Sequence, residues 1–249
     1  MLLVLTFVFF CPAESLRAQM VPAAQWHLVY TQIRDCLIPK QEAQLRLKCL
    51  EVMLKDLYLK RSNQKEKSTL CFPLEGYTRS AIGGEKGSGY HARGYDFFDG
   101  DRHRGHPGHD IFIRDRDQDG IDDSTGKSVN VISASSGIIV SVNPDWEPSS
   151  PIRGGNTIWI YEPIKSRYYY YAHLKEIFVE TGQTVSRGER IGTVGRTGKN
   201  AYPMQSPTHL HFTVHRSTEG CPVPVDPYRE LVKGGCGLKK SLLKKSLDI

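Results

Sequence analysis

The sequence predicts a mainly β protein, α+β overall: an antiparallel β-sheet domain preceded by an N-terminal α-helical segment. Three observations carry that expectation. Beyond Cys71, short apolar runs at 129–132, 137–142 and 158–161 are separated by Gly, Pro, Asn and Ser turns, a spacing that suits hairpin links rather than helical crossovers. Residues 22–66 instead repeat their apolar positions at helical spacing. Near the C-terminal end, His209-Leu210-His211-Phe212-Thr213-Val214-His215 alternates strictly, so a strand there turns Leu210, Phe212 and Val214 to one face and imidazoles to the other.

Taken in order, residues 1–10 are almost wholly apolar but fall short of the roughly 20 residues a membrane span needs. They read as the core of a signal peptide covering residues 1–18, with cleavage after Ala18, although no Lys or Arg precedes the run. The expectation is export, to a periplasmic or extracellular, envelope-associated location. In the helical segment, Trp26, Val29, Tyr30, Ile33 and Leu37 form one stripe. Pro39 separates it from a second, built from Leu45, Cys49, Leu50, Met53, Leu54 and Leu57. The charged residues 60–67 read as a linker. The expected role of the hairpin is to pack on its neighbour; the alternatives are a pro-segment that blocks a groove and a partner-binding surface. Residues 70–233 make up the β domain, and 234–249 a basic tail. Its Lys-Lys-Ser-Leu-Leu blocks are expected to fray in solvent, with adsorption to an anionic surface as the alternative.

With 249 residues, 39% hydrophobic and 24% charged, the chain has the composition of an ordinary globular protein of one substantial domain plus an appendage. A formal net charge of +6 favours anionic surroundings such as cell-wall polymers or lipid headgroups. No nucleic-acid motif accompanies that charge, so no nucleic acid is expected as a partner. Removing Cys11 with the signal leaves five cysteines, and Cys221–Cys236 is the disulfide expected from their short intervening loop.

Three segments carry chemistry. His209 and His211 lie side by side on one strand face, and neutral imidazole is the commonest protein metal ligand. Arg104-Gly105-His106-Pro107-Gly108-His109-Asp110 is a loop entering a strand, because Pro107 and Gly108 exclude a helix. In extended geometry His106 and Asp110 share a face while His109 points away. A catalytic zinc takes three nitrogen or oxygen ligands and keeps one position open. His106, Asp110 and one of His209 and His211 supply that set; the residues do not choose between the two. In Tyr168-Tyr169-Tyr170-Tyr171-Ala172-His173-Leu174, strand alternation would put Tyr169, Tyr171 and His173 on one face. The remaining histidines, His27, His91, His103 and His215, read as surface or groove-rim residues. His215 stands about 13 Å beyond His211 along the strand.

The set His-x-x-x-Asp, Tyr-Ala-His-Leu and His-x-His resembles the M23 peptidases, the lysostaphin-type zinc endopeptidases of bacterial cell walls. Gly155-Asn156-Thr157-Ile158-Trp159-Ile160 resembles the family's Gly-Asn strand, and residues 179–198 its glycine-punctuated hairpin. The resemblance covers about residues 70 to 230. It implies a β-sheet peptidase domain of the lysostaphin type, His106, Asp110 and His211 as zinc ligands, and His173 and His209 as an unliganded catalytic pair. The implied substrate is peptidoglycan, cut in stem peptides or cross-bridges. The alternatives are a non-catalytic wall-binding or amidase-activating protein on the same fold, and a peptidase acting on non-wall peptides.

A second metal motif lies in residues 115–123, where Asp115, Asp117 and Asp119 alternate before Gly120 and Asp123 follows. This pattern resembles calcium loops of the Asp-x-Asp-x-Asp-Gly type. The twelfth position is Gly126 rather than Glu, so the loop is not an EF-hand, and Asp123 would have to help close a Ca2+ site. The other reading is an acidic surface loop.

Overall fold

The computed structural model describes residues 12–60, 69–234 and 236. The expected signal-peptide core, the 61–67 part of the linker and most of the basic tail lie outside them. Helix α1 (Pro12–Arg34) begins earlier than expected and runs through Ala18. It is joined by a short turn to α2 (Lys40–Leu59), which starts directly after Pro39 as the proline's fixed φ favours. None of the described helices is long and apolar enough to cross a membrane.

The rest is mostly antiparallel sheet. Its strands are β1 (Gly108–Phe112), β2 (Asn130–Ile132), β3 (Gly137–Asn143), β4 (Thr157–Glu162) and β5 (Arg167–Ala172). They continue with β6 (Leu174–Ile177), β7 (Thr184–Val185), β8 (Arg190–Val194), β9 (His209–Thr218) and β10 (Cys221–Val225), and a short helix α3 (Tyr228–Lys233) follows. Seven strands form the main sheet in the order β1-β9-β5-β4-β3-β7, with β10 also paired to β9. A second sheet, β2-β8-β6, has three strands. β9 and β10 are joined through Glu219 and Gly220, both at positive φ, the backbone a two-residue hairpin turn requires.

Both faces of the main sheet are covered, and the alternation along β4, β5 and β9 decides by what. Ile158, Ile160, Tyr169, Tyr171, Leu210, Phe212 and Val214 point inward to a core shared with Val131, Leu174, Ile191 and Val194 of the small sheet. On the other face Ile138, Val140, Trp159, Tyr161 and Tyr168 pack against Trp26, Val29 and Ile33 of α1 and Leu47, Leu50 and Leu54 of α2. The Trp26 indole N–H donates to the Tyr168 hydroxyl at 2.9 Å, which satisfies a buried donor at the centre of this contact.

The helical face differs from the expected one in α2. Ala43, Leu47, Leu50, Leu54 and Tyr58 are buried, while Leu45, Cys49 and Met53 are exposed. Leu37 is also exposed, lying past the end of α1. The helix is apolar on more than one stripe, so the sheet it packs on selects the buried one.

The expected Cys221–Cys236 disulfide is not formed. Cys236 pairs with Cys71, across a sequence separation of 165 residues, and Cys221 is free. After α3 the chain returns against Leu70, where a Cβ on Gly234 would meet the Leu70 carbonyl oxygen. Cys221 instead lies in β10 opposite Thr218, next to the turn that abuts α2 at Gln44 and Lys48.

Candidate metal centre and its cleft

The part of the main sheet that the helical hairpin leaves uncovered forms the floor of a cleft. His209 and His211 of β9, with Tyr170 and Ala172 of β5, line it. β1 pairs antiparallel with β9 so that Asp110 stands directly opposite His211. His106 arrives from the loop before β1. The ligand atoms of His106, Asp110 and His211 all lie within 4.8 Å of one another. Asp110 Oδ1 is 3.2 Å from His106 Nε2 and 2.8 Å from His211 Nδ1. His209 Nε2 is 3.7 Å from the same oxygen.

His173 and His209 face each other beside this group, with ring centroids 4.9 Å apart; His173 is 6.0 Å from His211. Their Nδ1 atoms sit 2.8 Å from the Thr197 carbonyl oxygen and 2.7 Å from that of Pro207. A carbonyl only accepts, so each Nδ1 carries a hydrogen, which leaves Nε2 as the atom that can exchange a proton. His106 is tied in the same way, through Nδ1 to the Gly89 carbonyl at 2.8 Å. Its Nε2 is thereby turned toward Asp110 as a donor atom, the outer hydrogen bond typical of a metal-binding histidine.

Two histidines and one carboxylate are a donor set that fits zinc and leaves a fourth position for water or substrate. The electrostatics agree with a site built for a cation. Burial alone would raise the Asp110 carboxyl, but hydrogen bonds from His106 and His211 outweigh it and hold the carboxyl far below its usual range. His106 is raised by its bond to Asp110. Burial pushes His211 down, against the pull of Asp110. Burial, then His209 and His211, push His173 down to about 3, so it is neutral at physiological pH.

The tyrosine strand differs from its expected arrangement. Tyr169 and Tyr171 face the core, and Tyr170 is the tyrosine in the cleft. The reason is local: β5 ends at Ala172, and His173 takes a positive φ of 65°. That turn swings the imidazole to the Tyr170 side. The bend is held by the His173 N–H donating to Gly154 and by the Leu174 N–H donating to Asn156. Gly155, also at positive φ, lets the backbone come so near Thr197 that a Cβ would sit 2.3 Å from its carbonyl carbon.

Of the histidines expected at the surface or groove rim, His215 departs most. His215 is buried in the inner part of the cleft wall, with Nε2 3.0 Å from the Tyr95 hydroxyl. His27 is half-buried against Ser141 at 2.8 Å, and His103 lines the cleft against Tyr95. His91 is exposed. His109 points away from the site, fully buried, with Nε2 2.9 Å from Asp226.

In the aspartate-rich loop, Asp115, Asp117 and Asp123 bring ligand atoms within 4.8 Å of one another. Asp119 stands outside that group: its carboxylate accepts the Ile121 N–H at 2.7 Å. Asp115 is already engaged by the N–H groups of Asp119 and Gly120 and by the Thr208 hydroxyl.

Residues 116–227 match the model of peptidase family M23. The match includes His173, His209 and His211, and begins downstream of His106 and Asp110. No curated protein matches the chain. Among solved structures, a zinc-containing peptidase from Vibrio cholerae is similar at 24% identity over 66% of this chain, with a TM-score of 0.41. The chain spans only 41% of that protein's length. The catalytic domain of lysostaphin from Staphylococcus simulans is similar at 24% identity over 68% of this chain and 92% of that domain, with a TM-score of 0.37. A candidate lytM glycyl-glycine endopeptidase from Ruminococcus gnavus is similar at 20% identity over 88% of this chain and 89% of its own, with a TM-score of 0.44.

Proposed function

This chain belongs to peptidase family M23 through residues 116–227, and on that premise we propose that it is an exported zinc-dependent endopeptidase. Its proposed substrate is peptidoglycan, hydrolysed at peptide bonds in stem peptides or cross-bridges. The observation that carries the reading is the convergence of His106, Asp110 and His211 beside the facing imidazoles of His173 and His209.

His106, Asp110 and His211 would hold zinc, which when bound would supply Lewis acidity for hydrolysis of a peptide bond. The chain's own residues do the rest. Asp110 offsets part of the cation's charge and fixes the His106 and His211 rings. The His173–His209 pair accepts the proton of the attacking water at an Nε2. The imidazolium so formed donates to the developing oxyanion and then to the leaving amine. Burial keeps His173 neutral. Tyr170 and Ala172 form the floor along which an extended peptide lies.

Export is supported by the Cys71–Cys236 disulfide, which persists in oxidising compartments. A net charge of +6 suits an anionic wall polymer. A complete ligand set and an intact histidine pair favour catalysis over a purely wall-binding role. The test is zinc content together with mass spectrometry of muropeptides released from purified peptidoglycan, with His211→Ala as control. Zinc-loaded protein that releases no peptide fragment, or a His211→Ala variant that releases as much as the parent, overturns the reading.

A further inference from the structure

Two arginines line the cleft, and they are held differently. Arg34, from α1, is engaged twice by the Asp35 carboxylate (2.8 and 2.9 Å) and once by Asn143 (3.1 Å). Arg153 pairs with no carboxylate among the described residues. Its Nη1 donates to the carbonyl oxygens of Asp101 (3.4 Å) and His103 (3.1 Å). Its backbone N–H donates to Asp101 Oδ2 at 3.3 Å. These bonds fix the loop and one corner of the guanidinium. The Nε–Nη2 edge has no protein acceptor among the described residues.

That edge is the one whose two parallel N–H groups match a carboxylate. The charge is permanent, since an arginine keeps its proton at any working pH. Asp101, the nearest compensating group, is partly buried, and burial raises its carboxyl. The Nη1 tether means that little side-chain freedom is lost when a ligand binds.

We propose that Arg153 is a specificity-determining residue that receives a free carboxylate of the peptide substrate. The proposal rests on the peptidase reading and names the chemistry its substrate carries. Peptides with an unamidated carboxylate near the scissile bond are preferred over the matching carboxamides, and the preference appears in KM rather than kcat.

The experiment uses the full chain and pairs of synthetic stem peptides that differ only in carboxylate against carboxamide. The zinc-loaded parent is expected to favour the carboxylate by roughly tenfold to a hundredfold in kcat/KM. Arg153→Gln abolishes the preference; Arg153→Lys, which keeps charge but not the fork, retains part of it. A second arm, calorimetric titration of the metal-free protein with the carboxylate and carboxamide forms of the product peptide, reads the same contact without turnover. Equal use of both peptides by the parent, or an unchanged preference in Arg153→Gln, overturns the inference. If the parent cuts neither peptide, the peptidase reading has failed and the binding arm decides this one: indifference to the carboxylate there overturns it. Arg153→Gln must keep the parent's circular dichroism spectrum; if it unfolds, the Arg153→Lys comparison and the parent's two affinities decide.

Discussion

Asp110 Oδ1 lies 2.8 Å from His211 Nδ1, and the two residues stand directly opposite each other across the β1–β9 pair. The candidate metal centre is therefore written into a strand register: slipping β1 by one residue would turn Asp110 to the other face.

The first prediction concerns the metal. His211→Ala and Asp110→Ala should each reduce bound zinc from about one ion per chain to a trace, because a three-ligand site does not tolerate losing one. Elemental analysis after gel filtration checks this. Near-stoichiometric zinc in both variants would place the ion elsewhere.

His173→Ala and His209→Ala should behave differently. Both keep zinc, since neither residue belongs to the converging His106–Asp110–His211 group. Each should lose on the order of 10²-fold or more in turnover. Full activity in either variant would remove that residue from the proton path.

His215 predicts an acid sensitivity unrelated to catalysis. Burial pushes its pKa from 6.5 down to about 3, with His103 and His211 acting in the same direction. A pKa depressed in the folded state means that the unfolded chain takes up the proton first. The stability involved is fully present above about pH 6.5 and is lost as pH falls toward 3, at about 1.4 kcal/mol per pH unit for one proton. Urea unfolding at a series of pH values should show a steeper decline in the parent than in His215→Gln. Parallel declines would refute the assignment.

The disulfide predicts a large stability effect. Bridging residues 165 apart in sequence removes about 5 kcal/mol of loop-closure entropy from the unfolded state on the chain-entropy model. Cys71→Ser should therefore unfold at lower urea by roughly 2–5 kcal/mol, and reductant should destabilise the parent but not the variant. Equal stabilities under oxidising conditions would show that the bridge contributes little.

Much of this architecture was legible where period and chemistry agree. Alternation in 209–215 placed Leu210, Phe212 and Val214 toward the core, as found, and turn residues marked out β3 and β4 as strands. What escaped the sequence depended on partners far along the chain. The stripe read on α2 held Leu50 and Leu54 but missed Ala43, Leu47 and Tyr58, which are buried with Trp26 and Trp159. The face of His173 was misread because strand alternation stops at Ala172, and nothing short of the positive φ at His173 reveals the reversal. Cys236 pairs with Cys71 because α3 carries the chain back to the start of the domain, a return no local spacing encodes. In the site, His106, Asp110 and the His209/His211 pair could be picked out by residue type and spacing, and only the resemblance named His211 as the ligand. Arg153 could not: its distinction is an absent carboxylate partner, which appears only once the loop is folded.

The helical hairpin and the histidines occupy neighbouring halves of one sheet surface, and Tyr30 of α1 reaches into the cleft wall. A fragment starting at residue 69 would leave Trp159, Tyr161 and Tyr168 open to water. Trimming the protein to its β part would thus yield a sticky, misshapen trough rather than a smaller intact domain.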